Sequence, residues 1–261
     1  MPRRIILHAG FHKTGTKTVQ AILRTNRATL KQHVAIRLRA QMRDLLHATR
    51  GYSTWRDPLT MIKVEDRFAA LLDDLPGMPR RSLILSAEEL CGHLPGRGDL
   101  SDYRAAPELL YVLRDIAARR FPAADIMIYL TTRDAAEWRA SAYWEHVKSS
   151  DMTMDYERFA ELYPQAPALD DMAAEIASRV PCPVHVTRLE DCADDPLGPA
   201  GDLLRLCDLP DELIAAVEPV APQNKRPDAD TLQELLRINR RIEDPEDRRA
   251  AKKALLQGAA Q

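Results

Sequence analysis

Short apolar runs alternate with longer segments of helical periodicity along most of the chain, and this alternation limits the possible folds more than any other feature. Four runs, at residues 4–9, 82–85, 125–131 and 184–187, have the length of strands and are apolar almost throughout. Strands of a parallel sheet covered on both faces have this composition, because neither face meets water. The sequence therefore predicts an α/β fold of three layers, with helices on both faces of a central parallel sheet.

Segments with helical periodicity lie between these runs and continue toward the C-terminus. Their approximate bounds are 18–30, 58–74, 105–120, 134–148, 169–179, 202–209, 229–242 and 245–257. Residues 33–38 are a candidate fifth strand, weakened by Arg37, and residues 92–104 are expected to form a loop because they are rich in Gly and Pro. We expect one domain over residues 1–261, with a helical extension from about 228 that ends in a solvated tail.

Charge and cysteine content exclude several classes of protein. The chain has 37 Lys and Arg against 39 Asp and Glu, a net charge of -2, so we expect no nucleic-acid partner. The four cysteines have no C-x-x-C spacing, which argues against a zinc site and a disulfide framework. The first apolar run is too short for a signal peptide or a membrane span. These features predict a cytoplasmic enzyme.

Residues 10–18 read GFHKTGTKT and lie between the first apolar run and the first helical segment. In the phosphate loop of nucleotide hydrolases, G-x-x-x-x-G-K-[ST], a lysine stands where this chain has Thr16. A glycine loop that opens a helix still suits an anion, because unpaired N–H groups and the helix dipole favour negative charge. The sequence therefore predicts a P-loop-like anion site. Its expected ligands are Lys13, Thr14, Gly15, Thr16, Lys17 and Thr18.

A second motif follows the third apolar run. Arg133 ends that run, Asp134 with Glu137 is placed to cap the next helix, and Ser141 follows Arg133 by eight positions. An arginine forks onto a phosphate dianion, and a serine adds a neutral donor. With HKTGT at residues 12–16, this pair resembles the sulfotransferases that use 3′-phosphoadenosine 5′-phosphosulfate (PAPS), in particular bacterial members of that family.

The resemblance implies a role for each motif. The family loop reads roughly P/H-K-[ST]-G-T-T, so Lys13 is the family lysine, expected to stabilise the departing oxygen, and Lys17 replaces a threonine. Arg133 and Ser141 would hold the 3′-phosphate. Fainter similarities lie at LILSAEEL (83–90), VTRLEDCADDP (186–196) and NKRPDADTLQELLRINR (224–240). The last of these adds Asn224 and Lys225 to the expected cofactor ligands, although Lys225 departs from the family pattern.

Sulfuryl transfer also needs a general base for the acceptor's proton. The candidates are Glu88, Glu89 and His12, and the resemblance favours Glu88, since related enzymes carry a carboxylate just after this strand. His93 and His146 are expected to be surface histidines. We expect PAPS as cofactor, PAP as product, no metal, and a hydroxyl or amine acceptor on a carbohydrate, lipid or small metabolite.

Two other functions fit parts of the pattern. A P-loop kinase or NTPase would use IMIYLTTRD, residues 126–134, as the strand that ends in a magnesium-binding Asp134. A catalytically inactive nucleotide-binding homologue is the other, with Lys17 as the departure that favours it. The sequence does not identify the acceptor, whose pocket we expect residues 33–80 and 92–104 to shape.

Overall fold

The computed structural model describes residues 1–221 and 228–258. Its centre is a sheet of five parallel strands in the order β2-β3-β1-β4-β5. The strands are β1 Arg4–His8, β2 Val34–Leu38, β3 Ser82–Ser86, β4 Asp125–Thr132 and β5 Val184–Arg188. All four predicted strands are confirmed, and the candidate at 33–38 is β2. Because β2 is an edge strand, it tolerates Arg37, whose side chain is only half buried.

Helices cover both faces of this sheet, which confirms the predicted α/β class. Those described are α1 Thr16–Thr25, α2 Arg27–Leu30, α3 Arg43–Trp55, α4 Pro58–Asp73, α5 Ala106–Arg120, α6 Ala135–Ser149, α7 Tyr156–Leu162, α8 Leu169–Arg179, α9 Pro199–Arg205, α10 Asp211–Ala215, α11 Ala229–Arg241 and α12 Pro245–Gly258. The sequence did not predict α3, α7 or α10. Residues 92–104 contain neither helix nor strand, as expected. No helix of the described part of the chain is long and apolar enough to cross a membrane.

Two apolar cores lie on opposite faces of the sheet. Ile5 and Leu7 of β1 belong to the larger core, with side chains from α3 to α6. Ile6 belongs to the smaller core, with side chains of α1 and α9. This alternation follows from the two-residue period of a strand, and burial of both faces explains why the strands read as continuous apolar runs.

Strands β1 and β3 end level with one another, and the neighbouring β4 continues past them to Thr132. His8 at the end of β1 is opposite Ser86 of β3 and Tyr129 of β4. The connection after β1 leads to β2 on one side of it, and the connection after β3 leads to β4 on the other side. Because the strands are parallel, the loops after β1, β3 and β4 lie at the same edge of the sheet. Ligands of open α/β sheets bind at such an edge.

The C-terminal helices support α6. Lys252 of α12 is buried and donates to the backbone oxygens of Val147, Lys148 and Ser150 at the end of α6. Asn239 of α11 donates to the Val147 oxygen as well. Most of α12, the segment predicted to be a solvated tail, is exposed, and the buried Lys252 anchors it to α6.

Candidate anion-binding cleft at the carboxyl edge of the sheet

The loop between β1 and α1 passes close to β4. A Cβ added to Gly10 would lie 2.4 Å from Oγ1 of Thr131, so only glycine fits at that position. Gly15 has a φ of 93°, and Lys13, which is not a glycine, has a φ of 68°. Side chains other than glycine rarely adopt this region, so the loop stores strain at its first lysine.

Backbone donors of this loop are available to an anion. The five N–H groups from Lys13 to Lys17 have no hydrogen-bond partner among residues 1–221 and 228–258, whereas those of Thr18 and Val19 both donate to the oxygen of Gly15. Gly15 is the N-cap of α1 and offers no side chain to cap it. Unpaired N–H groups at the positive end of a helix form a binding site for phosphate or sulfate oxygens.

The threonines of the loop differ in their roles. Thr14 is fully buried, and its Oγ1 donates to the Phe11 oxygen at 2.6 Å and lies 2.5 Å from Oγ1 of Thr131. The expectation that this hydroxyl binds a ligand is corrected, because it is committed to the loop itself and only its N–H remains. Thr16 makes a weaker bond of 3.5 Å to the Phe11 oxygen, and its side chain borders the cleft, as does that of Thr18.

Lys13 forms an ion pair with a residue that the sequence did not single out. Its Nζ lies 3.0 Å from Oε2 of Glu145 on α6, and both side chains are more than four-fifths buried. Burial raises the pKa of Glu145, but the positive charges of Lys13 and Lys148 outweigh it and hold that pKa at about 2. Burial is also the main reason that the pKa of Lys13 is lowered, although Glu145 opposes this effect. The Glu145 carboxylate is therefore ionised at neutral pH.

The second motif lies against the first. Nη1 of Arg133 donates to the backbone oxygen of Lys13 at 3.2 Å, and Nη2 lies 3.2 Å from a carboxylate oxygen of Glu137. The Asp134 carboxylate accepts from the N–H groups that open α6, as predicted for a cap. Ser141 borders the same cleft, and its hydroxyl has no partner within the described ranges. The structure thus brings Arg133 and Ser141 beside the Lys13 loop.

Two adjacent carboxylates follow β3 in a short 3-10 turn, Glu88–Cys91. Glu88 is 6% exposed and accepts a hydrogen bond of 3.1 Å from Nε2 of Gln20. Glu89 is 3% exposed and pairs with Arg39 and Arg50. Burial, followed by the charge of Glu88, raises the pKa of Glu89 despite these arginines. Glu89 is therefore tied into a structural ion pair, and Glu88 is the freer carboxylate of the two.

His12 is held in place by aromatic residues. Its Nδ1 lies 3.0 Å from the Tyr103 hydroxyl, and its backbone oxygen accepts from the Trp138 indole at 2.8 Å. Burial lowers the pKa of His12 well below its usual value, and nearby positive groups, first among them His93, lower it further. The imidazole is therefore neutral at pH 7. Its Nε2 is a proton acceptor when Nδ1 donates to Tyr103, and a donor in the other tautomer.

The two histidines expected at the surface lie elsewhere. His146 is fully buried and donates from Nε2 to the Pro95 oxygen at 2.7 Å. His93 is half buried and borders the cleft, where its Nδ1 accepts from the Leu94 N–H. Burial is the main reason that the pKa of each histidine falls to about 4. The surface assignment was wrong for both, because a single histidine in a sequence carries no signal of its surroundings.

These groups surround one cleft of about 640 Å³, within the usual range for a small-molecule site. The predicted residues that border it are His12, Lys13, Gly15, Thr16, Lys17, Thr18, Glu88, Glu89, Arg133 and Ser141. Asn224 and Lys225 lie outside the described residues. Four charged residues that the sequence did not indicate also border the cleft: Arg39, Arg50, Arg97 and Glu145. Arg39 and Arg50 come from 33–80 and Arg97 from 92–104, the two segments expected to shape the pocket.

No protein-family model matches the chain, and no curated protein matches it. The resemblance to PAPS-dependent sulfotransferases therefore rests on the short motifs of the sequence alone.

Proposed function

We propose that the protein is a PAPS-dependent sulfotransferase that acts on a hydroxyl or amine acceptor. One observation carries the proposal: the Lys13 loop, with its unpaired N–H groups, and the Arg133–Ser141 pair border the same cleft at the carboxyl edge of the sheet. Two separate anion-binding elements around one cleft suit a ligand with a negative group at each end. The four cysteines are unpaired, which fits the cytoplasmic location that we also propose.

The residues present fit such a ligand. The N–H groups from Lys13 to Lys17 would bind the 5′-phosphosulfate, and the Arg133 guanidinium and Ser141 hydroxyl would bind the 3′-phosphate. Arg133 already donates to the backbone oxygen of Lys13, so the residues that would bind the two anionic groups are in direct contact with each other. PAPS, when bound, supplies a sulfonate group whose transfer leaves PAP.

The chain's own residues would have two tasks in this reaction. As the sulfonate moves from the phosphate oxygen to the acceptor, Glu88 or Nε2 of His12 would take the acceptor's proton. Lys13 offsets the charge that develops on the departing oxygen. Because Lys13 is paired with Glu145, it must share its charge between that carboxylate and the ligand.

A kinase or NTPase fits the cleft less well. Thr16 stands where such an enzyme needs its lysine, and the structure does not bring a lysine to that position of the loop. Asp134, the candidate magnesium ligand, is instead occupied with the N–H groups of Ala136 and Glu137 at the start of α6. An inactive nucleotide-binding homologue would bind PAP and show no turnover, so an activity measurement separates it from an enzyme.

A thermal-shift screen tests the proposal. PAP, ATP, GTP and AMP are compared, each with EDTA or Mg²⁺. A ligand at 100 times its dissociation constant adds about 2.7 kcal/mol, which raises the Tm of a chain of this size by about 5–10 °C. We expect a large shift with PAP in EDTA and a small one with ATP. The shift should vanish in Lys13→Met and persist in Lys63→Met, a control on α4. A magnesium-dependent shift with ATP that exceeds the PAP shift would refute the proposal.

A further inference from the structure

A chain of basic residues leads out of the cleft on the side of β2 and α3. Two further cavities adjoin it: one of about 520 Å³ shares Lys17 and Arg39 with the cleft, and one of about 540 Å³ shares Arg39 and Arg50 with it. We name this surface the basic groove. Its cationic residues are Lys17, Arg24, Arg27, Arg39, Arg43 and Arg50.

Most of the positive charge in the basic groove is not neutralised. Arg39 and Arg50 pair with Glu89, but the other four cations have no carboxylate within 4.0 Å in the described part of the chain. All four are exposed. Asp44 borders the second outer cavity, and no described acidic residue borders the first. The whole chain has a net charge of -2, so this concentration does not follow from composition. A groove lined by one sign of charge attracts ligands of the opposite sign.

On the basis of the proposed function, we propose that the acceptor is a polyanionic oligosaccharide, a chain of sugars that carries sulfate or carboxylate groups. Its anionic groups would lie along the basic groove, and one hydroxyl would enter the cleft beside Glu88 and His12. Arginine suits this task because its planar guanidinium donates two parallel hydrogen bonds to a carboxylate or sulfate. The shared residues Lys17 and Arg39 make the groove continuous with the cleft.

The lining of the groove favours an oligosaccharide over a nucleic acid. Besides the charged residues, aliphatic and polar side chains and His47 border the two outer cavities, and none of the described residues that line them is Phe, Tyr or Trp. Single-stranded nucleic acids bind mainly by stacking their bases on aromatic side chains along a positive groove, and this groove lacks such platforms. Sugar sulfates and carboxylates need charge and hydrogen-bond donors, which the arginines supply.

A triple variant tests the inference. Arg24→Gln/Arg27→Gln/Arg43→Gln removes three exposed cations and touches no residue of the cleft. The matched control, Lys63→Gln/Arg67→Gln/Arg241→Gln, removes three exposed cations from α4 and α11. Binding of a fully sulfated heparin-derived hexasaccharide is measured by calorimetry at two salt concentrations, with PAP present. Exposed ion pairs contribute about 0.3–1 kcal/mol each, so we expect binding about 5- to 100-fold weaker in the triple variant and unchanged in the control.

Three further probes identify the ligand. Chitohexaose, a neutral oligosaccharide, should not bind measurably, and the hexasaccharide should bind more tightly than a single-stranded RNA of similar charge. The inference is overturned if the two triple variants bind the hexasaccharide equally, if the RNA binds more tightly, or if phosphatidylserine vesicles bind more tightly through the same arginines. The PAP thermal shift is recorded separately for every variant. If the wild type shows the PAP shift but its hexasaccharide binding does not depend on the groove arginines, this inference alone is refuted. If the wild type shows no PAP shift, the proposed function is refuted.

Discussion

Replacing Glu145 with glutamine removes the carboxylate that pairs with Lys13 and leaves the shape of the side chain nearly unchanged. The pKa of Glu145 falls from 4.5 to about 2 in the folded protein, a difference that corresponds to about 3 kcal/mol. Because solvent reaches both partners in part, we expect the pair to contribute about 1–2 kcal/mol. The substitution should therefore lower the Tm at pH 7 by about 2–8 °C.

The pH dependence of this loss identifies its cause. A carboxylate whose pKa is depressed by folding stabilises the protein fully above its unfolded value of 4.5, and this contribution disappears as the pH falls from 4.5 to about 2. Urea unfolding at pH 7, 4.5 and 3 should show the difference in unfolding free energy between the wild-type and Glu145→Gln proteins reduced by about half at pH 3. Glu161→Gln is the control, since the exposed Arg158–Glu161 pair should contribute about 0.5 kcal/mol or less.

The same substitution should strengthen ligand binding. Lys13 no longer shares its charge with a carboxylate, and the ligand no longer meets a negative group in the cleft. If the energy of the pair is released to the ligand, PAP should bind about 5- to 30-fold more tightly to Glu145→Gln than to the wild type, as measured by calorimetry. Weaker PAP binding would refute this reasoning, because Glu145 would then hold Lys13 in its binding position rather than compete for it.

Three more predictions follow from the cleft and its support. Arg133→Ala should weaken PAP binding by about 2–4 kcal/mol in calorimetry, and the control Arg119→Ala on α5 should bind PAP like the wild type. If Arg133→Ala binds PAP as tightly as the wild type, Arg133 does not belong to the binding site. Glu88→Gln should keep PAP binding and lose about 10²- to 10⁴-fold in turnover. If this variant turns over normally and His12→Ala is inactive, His12 is the general base. Lys252→Met should lower the free energy of unfolding by about 1–3 kcal/mol in urea, because the backbone oxygens of Lys148 and Ser150 lose their side-chain donor.

The central strands β1, β3 and β4 were predictable because they are buried on both faces. Their interior positions are mostly apolar, so they stand out between helical segments without any knowledge of their partners. The edge strand β5 was also predicted, although it is largely exposed. The helix α3 was missed because Gly51 and several β-branched or hydroxyl residues, such as Thr49 and Ser53, lower its intrinsic helix propensity. Packing against α4 and the larger core stabilises it, and a pattern within one segment does not report such contacts.

The cleft residues that could be predicted from the sequence are those that belong to short local motifs. Lys13, Arg133 and Ser141 belong to short motifs beside strand ends, and the structure places all three at one cleft. Glu145 could have been found, because it follows Ser141 by four positions and so lies on the same face of α6. Arg39 had no such signal, since it comes from a segment without a motif and reaches the site only through the order of the strands.

Lys17 connects the two proposals. It stands where the sulfotransferase pattern has a threonine, and a lysine there seemed to weaken the cofactor site. In the structure its side chain is exposed at the start of α1, and it borders both the cleft and the first outer cavity of the basic groove. The backbone N–H of Lys17 remains available to the cofactor, since that contact does not depend on the side chain. A lysine at this position can therefore bind a polyanionic acceptor through its side chain while its backbone N–H binds the cofactor, whereas a threonine would add no charge to the groove.

We thus expect Lys17→Thr to bind PAP within about threefold of the wild type and to bind the sulfated hexasaccharide more weakly. A variant that loses PAP and keeps the hexasaccharide would assign Lys17 to the cofactor instead.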